Sequence, residues 1–291
     1  MIKNFAFLLV TILVLASCKK DDSVPSPAAP QVKFVFRFDS TQVRLNNIGE
    51  SSVIQPGFAA QSPVFNKMSA HYLELTTNAF TALGAGTVLY RAAETSAGGS
   101  NAIDFNQSVL TGNNETFLTV PVSNFTPGTY NWVRVSLAYQ NYNIRFRAAG
   151  LDLAGTIASF IGFNTYIQQH KVKDSTITVS GNRSQGYWAF ETSYAGFGSV
   201  TSGQAPAGAT TVPNPIFATS PIPQGSCVVT GKFASPLVIT GNETSDVTVI
   251  ISLSTNKSFE WQDANSNGIY EPLDGDIVKD MGIRGLIPFV Q

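Results

Sequence analysis

Apolar and polar residues alternate along most of this chain with a period of two. Val32, Phe34, Phe36 and Phe38 fall on one side of the alternation, and Lys33, Val35, Arg37 and Asp39 on the other. Successive side chains of an extended strand point to opposite faces, so the pattern predicts a strand with one face in a core. The signal recurs at Val43–Leu45, His71–Leu75, Thr87–Arg91, Phe117–Val122, Trp132–Tyr139 and Tyr142–Arg147. It continues at Ile177–Val179, Tyr187–Thr192, Cys227–Phe233, Val247–Leu253 and Phe259–Trp261. Turns rich in Gly, Asn and Pro divide these segments, as at Thr126-Pro127-Gly128 and Thr240-Gly241-Asn242. Gly155–Gln169 spaces Ile157, Phe160, Ile161 and Phe163 for either helix or strand; its two glycines and its β-branched and aromatic residues favour strand. Many short strands and scarce helix predict an all-β fold of antiparallel β-sandwich type.

The first residues break the pattern. Lys3 precedes an apolar run from Phe5 to Leu15, shorter than the ~20 residues a membrane-spanning helix needs. Leu15-Ala16-Ser17-Cys18 follows and resembles a bacterial lipobox. The resemblance implies removal of residues 1–17 and lipidation of Cys18. Two or more acyl chains, at roughly 0.8 kcal/mol per buried CH₂, would hold the protein on a membrane. Lys19-Lys20-Asp21-Asp22 resembles the export signal behind the lipid cysteine of surface lipoproteins in Bacteroidetes-type bacteria; a solvated charged spacer is the plainer reading. The expected location is the outer membrane, lipid-anchored, at the cell surface. Residues 18–31 form a tether, and Ser23–Pro30 within it holds three prolines.

Beyond the tether the sequence suggests two β-domains, 32–150 and 151–291, with a boundary near Gly150; one large sandwich is the alternative. Gly196–Gly225 is dense in Gly, Ala, Thr and Pro and predicts a long loop.

Charge narrows the function. Removing residues 1–17 takes away Lys3, one of 18 basic residues, and leaves 17 against 19 acidic ones. No basic stripe is available for nucleic acid. Charged residues make up 13% of the chain against an average of ~25%, so Ser, Thr, Asn, Gln and Gly must cover much of the surface. With Cys18 lipidated, Cys227 has no partner for an intrachain disulfide, and it sits in an apolar strand as a core residue.

One segment carries metal-type spacing. Asp263-Ala264-Asn265-Ser266-Asn267-Gly268-Ile269-Tyr270-Glu271-Pro272-Leu273-Asp274 matches the calcium-loop pattern, with Asp at the twelfth position in place of Glu. Asp263, Asn265 and Asn267 would converge on one ion, Gly268 would permit the sharp turn, and the Ile269 carbonyl would point inward. Glu271 and Asp274 would close an all-oxygen shell suited to Ca²⁺, with Asp276 able to stand in for Asp274. The loop resembles those of dockerins and of calcium-binding adhesin repeats, but it lies between strands. An Asn/Gly hairpin turn without metal is the simpler alternative.

No motif for nucleophilic catalysis or phosphate binding occurs. His71 and His170 stand far apart and read as ordinary strand or surface residues. Tyr139, Tyr142, Tyr187, Trp188, Tyr194 and Phe197 could serve as core or as glycan platforms. Asp39-Ser40-Thr41 and Asp174-Ser175-Thr176 match short sites at which Bacteroidetes-type bacteria attach O-glycans.

Ala70-His71-Tyr72-Leu73-Glu74-Leu75, the run Trp132–Tyr142 and Asp280-Met281-Gly282-Ile283-Arg284-Gly285-Leu286-Ile287-Pro288 resemble surface lipoproteins of Bacteroidetes. Pro127-Gly128-Thr129-Tyr130 resembles a turn of transthyretin- and immunoglobulin-like domains. These resemblances imply fold and location and supply no catalytic residue. Two functions follow as expectations. The first is a non-catalytic binding, structural or adhesive module for a glycan or protein ligand. The second is an extracellular polymer hydrolase that uses paired carboxylates.

Overall fold

A computed structural model describes residues 29–205 and 227–291. The signal segment, Cys18, Lys19–Asp22, nearly all of the tether and most of the Gly/Pro tract lie outside the described residues. The chain runs through β1 (Gln31–Asp39), β2 (Phe58–Gln61), β3 (Val64–Thr76), β4 (Thr87–Arg91), β5 (Glu94–Thr95) and β6 (Ala102–Asp104). It continues through β7 (Glu115–Pro121), β8 (Gly128–Ala148), β9 (Leu151–Phe160), β10 (Asn164–Lys171), β11 (Thr176–Ser184) and β12 (Tyr187–Tyr194). It ends with β13 (Phe197–Gln204), β14 (Cys227–Ile239), β15 (Val247–Ser254), β16 (Phe259–Gln262), β17 (Ile277–Met281) and β18 (Leu286–Val290). The only helical pieces among the described residues are two short 3₁₀ turns, Phe105–Gln107 and Val122–Asn124. The fold is all-β, as the alternation predicts.

The strands stack as layers. A large middle sheet has the order β13-β12-β9-β8-β3-β4, with β14 also paired to β8. On one face lies the sheet β18-β15-β1-β7. Val32, Phe34 and Phe36 of β1 and Val249, Ile251 and Leu253 of β15 pack there against Leu73, Val133, Val135 and Val229 of the middle sheet. Each such side chain, taken from water into the core, contributes roughly 1.5–3 kcal/mol. On the other face lies β11-β10-β6-β5, where Ile167 meets Tyr139, Phe160 and Tyr187. A small sheet, β17-β16-β2, closes one side of the main core through Phe259 and Trp261. The middle sheet is thus buried on both faces, which explains the unbroken run of buried residues from Val133 to Tyr142 in β8.

β8 joins the two halves of the chain. The sequence predicts separate strands at Trp132–Tyr139 and Tyr142–Arg147, and the parity of the apolar positions flips between them. The structure absorbs that flip inside one strand. Ser69 pairs with Tyr139 but Ala70 pairs with Leu137, so Ala138 is an extra residue on β8. A bulge of this kind turns the following side chains to the opposite face. Val135 and Leu137 before it and Tyr142 and Ile144 after it therefore share one core. The Ala138 carbonyl accepts hydrogen bonds from both Ile161 and Gly162 N–H groups, at 2.9 and 3.0 Å. Gly162 permits that approach, since a Cβ there would lie 2.6 Å from Ile103 Cδ1. On that edge of β8 the partner also changes at the bulge: β9 pairs from Tyr139 onward and β14 from Leu137 backward.

Other expectations change in detail. The expected boundary near Gly150 falls in the turn of the β8–β9 hairpin, whose strands pair from Tyr139–Phe160 to Ala148–Leu151. The main core cluster draws on residues from Val32 to Leu286. Val43–Leu45 forms only an isolated bridge between Leu45 and Ser51. Gly155–Gln169 divides into the end of β9 and most of β10. The first part of the expected loop at Gly196 is the edge strand β13. β1 and β15 run parallel within an otherwise antiparallel layer.

Candidate functional site

The calcium-type loop lies between strands, as the sequence reading expects, and joins β16 to β17, which pair with each other. Asp263 follows the last residue of β16. Its Oδ1 accepts from Asn267 N–H at 3.2 Å and its Oδ2 from Gly268 N–H at 2.7 Å. Gly268 has φ +74°, a left-handed turn that glycine adopts without strain. Asn265 Oδ1 accepts from Asn267 N–H at 3.2 Å, and Asn267 Oδ1 from Ile269 N–H at 2.7 Å. Both side-chain amides donate to Glu271 Oε2, at 2.9 and 2.6 Å. These bonds from Asn265 and Asn267 hold the Glu271 carboxyl below the usual carboxylate range. Asp263, Asn265, Asn267, Ile269 and Glu271 are thus gathered into one loop.

Asp274 stands apart. It is exposed, and its backbone N–H donates to the Glu271 carbonyl at 3.0 Å. Asp276 is the buried member of the closing turn, accepting from Ala264 N–H at 2.9 Å and from Glu271 N–H at 2.8 Å. Among the described residues no three His, Cys, Asp or Glu side chains group closely enough to hold a metal between them. The loop offers instead two carboxylates, two amides and backbone carbonyls. That all-oxygen set suits a hard cation once the amides turn Oδ1 toward it, since carboxylate oxygens already bonded to N–H groups keep a second lone pair.

The loop forms one wall of an open groove of about 580 Å³. Gly268, Ile269 and Tyr270 face it from the loop, and the β8–β9 hairpin faces it from Arg145 to Ala154. Trp261 and Gln61 complete the lining. The backbone here is already satisfied: Gln61 binds both Arg145 N–H and the Arg145 carbonyl at 2.8 Å, and Arg147 N–H donates to the Tyr270 carbonyl at 2.8 Å. Arg147 Nε lies 2.7 Å from Asp152, and its Nη1 lies 3.9 Å from Glu271. Arg145 has no carboxylate partner among the described residues. Trp261 is 1% exposed, and its indole N–H has no acceptor there. Sequence reasoning missed this groove because its residues come from three separated segments; the repeated Arg-x-Arg at 145 and 147 was its one local signal.

His71 and His170 are both buried, where the sequence suggested strand or surface positions. His71 Nε2 lies 2.8 Å from Glu94. Glu94 loses to burial but gains more from Asn101, Arg91 and His71, and its carboxyl is held down to about 2. Glu191 gathers the backbone N–H groups of Lys173, Asp174 and Ser175 at 2.9–3.2 Å and binds the Ser175 hydroxyl at 3.0 Å. In the other tripeptide, Asp39 Oδ1 binds Thr41 and Ser40 is exposed.

Cys227 opens into a small, partly open cavity of about 30 Å³, shared with Ser159, Gln185, Asp280 and Arg284. Burial pushes its thiol up to about 12, so the thiolate is not formed near neutral pH. Asp280 is also pushed up by burial, against the pull of Arg284. Arg284 binds both Asp280, at 3.0 Å, and Glu260, at 2.8 Å. The six aromatics separate cleanly. Tyr139, Tyr142 and Tyr187 are core, Trp188 is half-buried, and Tyr194 and Phe197 face each other, exposed, across the β12–β13 turn.

No protein-family model, curated protein or solved structure matches this chain.

Proposed function

We propose that the chain is a lipid-anchored protein of the outer cell surface that binds a glycan or protein ligand, or acts as a structural or adhesive module, without catalysing a reaction. One Ca²⁺ in the loop at Asp263–Glu271 stabilises it. The anchor is read from Leu15-Ala16-Ser17-Cys18, and the outward address from Lys19-Lys20-Asp21-Asp22. Among the described residues no helix is long and apolar enough to cross a membrane.

The observation that carries the binding reading is the groove beside the metal-type loop. Its volume lies within the range of small-ligand sites, roughly 300–1,000 Å³. Its walls are fixed by strand pairing and by Gln61, so it is formed before any ligand arrives. The carboxylates do not favour the hydrolase alternative. At the groove Asp152 and Glu271 share Arg147, and both are held below the usual carboxylate range, the opposite of what a general acid needs; away from it Glu260 and Asp280 share Arg284. The cavity that Asp280 lines has room for about one water and none for a polymer.

The test is a screen of the full chain, purified in detergent, against a glycan array and against extracellular polymers as substrates. Retention of a glycan without turnover is expected. Polymer cleavage by the parent would overturn the non-catalytic reading, and its loss or persistence in a Glu260→Gln, Asp280→Asn double variant would show whether that pair carries it.

A further inference from the structure

This inference rests on the binding reading above and narrows it. We propose that the groove between the β8–β9 hairpin and the loop Gly268–Tyr270 binds an acidic saccharide: a sugar ring bearing a carboxylate. Three features point to that chemistry. Arg145 and Arg147 are two apart on β8 and therefore share a face. Arg147 is occupied by Asp152 and leans on Glu271, while Arg145 has no carboxylate among the described residues. The groove thus holds one guanidinium free to fork onto a ligand carboxylate. The second feature is the support beneath the ring surface: Trp261, 1% exposed, packs on Tyr270 with ring centroids 5.5 Å apart and fixes that ring at the lining. The third is the apolar surface of Tyr270, Ile269 and Leu153, all half-buried, against which the C–H face of a sugar ring packs.

An acidic peptide fits less well. Peptides gain affinity in sheet proteins by adding a strand to a free edge. Here the flanking backbone groups of Arg145 and Arg147 are taken by Gln61 and Tyr270. Recognition must run through side chains, which suits a compact ring.

The experiment is calorimetry on the full chain in detergent with three probes: trigalacturonate, its methyl ester and hexaglutamate. The ester keeps every ring and removes the charge. Trigalacturonate is expected to bind roughly 10-fold or more tightly than the ester, the scale of one charge-assisted hydrogen bond. Arg145→Gln should lose that factor and still melt cooperatively, while Lys232→Gln on β14 should keep it. Equal binding of acid and ester, preference for hexaglutamate, undiminished binding by Arg145→Gln, or no binding of trigalacturonate by a cooperatively melting chain would each overturn the assignment. Should the array capture a neutral glycan while trigalacturonate fails, the binding reading stands and only this assignment falls.

Discussion

Glu74 and Arg134 face each other across β3 and β8 as an ion pair with no exposure on either side chain, Oε1 and Nη1 2.6 Å apart. Their remaining groups are also satisfied. Glu74 Oε2 accepts from Gly84 N–H at 3.0 Å, Arg134 Nη2 donates to the Ala79 carbonyl at 3.2 Å, and Nε donates to Thr230 Oγ1 at 3.2 Å. The pair thereby pins the segment between β3 and β4 onto the middle sheet and ties in β14. Removing one partner strands the other charge in the interior. Glu74→Leu or Arg134→Met should each lower stability by about 3–5 kcal/mol, whereas the double change Glu74→Leu, Arg134→Met should cost less than the sum. Denaturant unfolding of the three variants decides it; strict additivity would mean the two groups act independently.

His170 gives the fold a sensitivity to acid. It is 3% exposed, edge-on to Phe160 and Tyr187, and neither ring nitrogen has a partner among the described residues. Burial pushes its pKa down to about 4 from 6.5. Between those values the unfolded chain binds the proton and the folded chain does not. Stability from this group is therefore complete above pH 6.5 and falls as pH drops toward 4, by up to about 3 kcal/mol. His170→Phe should flatten that part of the acid limb relative to the parent. Parallel pH–stability curves for the two proteins would show that the ring is not kept neutral.

The loop at Asp263 makes a calcium prediction. A cation that binds only the folded chain adds RT ln(1 + [Ca²⁺]/Kd), about 2.7 kcal/mol at ~100 Kd, with Kd on the order of 10⁻⁴–10⁻³ M for a lone extracellular site. The parent should melt higher in calcium than in chelator, and Asp263→Ala should lose the difference. Identical melting of the parent in both, with no binding heat at millimolar calcium, would leave Asp263 as the cap of a metal-free turn.

Lipidation at Cys18 predicts that the parent fractionates with membranes and that Cys18→Ala does not. Protease added to intact cells should digest the parent, as the Lys19–Asp22 signal implies. A Cys18→Ala chain that stays membrane-bound would refute the tether.

The strands with one wet face were legible in the sequence, because alternation at Val32–Phe38 reports burial directly. β13 was not, because its residues are nearly all exposed and carry no contrast between faces. The unity of β8 was hidden by Ala138, since a bulge reverses parity without an apolar marker of its own. At the metal-type loop the register at positions 263, 265, 267 and 271 was readable. The inward role of Asp276 depends on the pairing of β16 with β17, which no local spacing encodes. Arg145 and Trp261 meet at the groove only through the stacking of distant strands.

The parallel pairing of β1 with β15 sets an order of events. Val32–Asp39 lies beside Val247–Ser254, and Gln31 N–H reaches the Asp246 carboxylate at 3.0 Å. The first of the described strands to be synthesised thus waits for one of the last. Until then β1 is paired on one edge alone, with β7, while Phe34 and Phe36 can already lie against Leu73, Val133 and Val135. Such long-range closure is slow, and an unfinished chain presents an apolar strand edge throughout the delay. The edge of β1 that β15 covers therefore stays open to pairing with other chains until the C-terminal third is made.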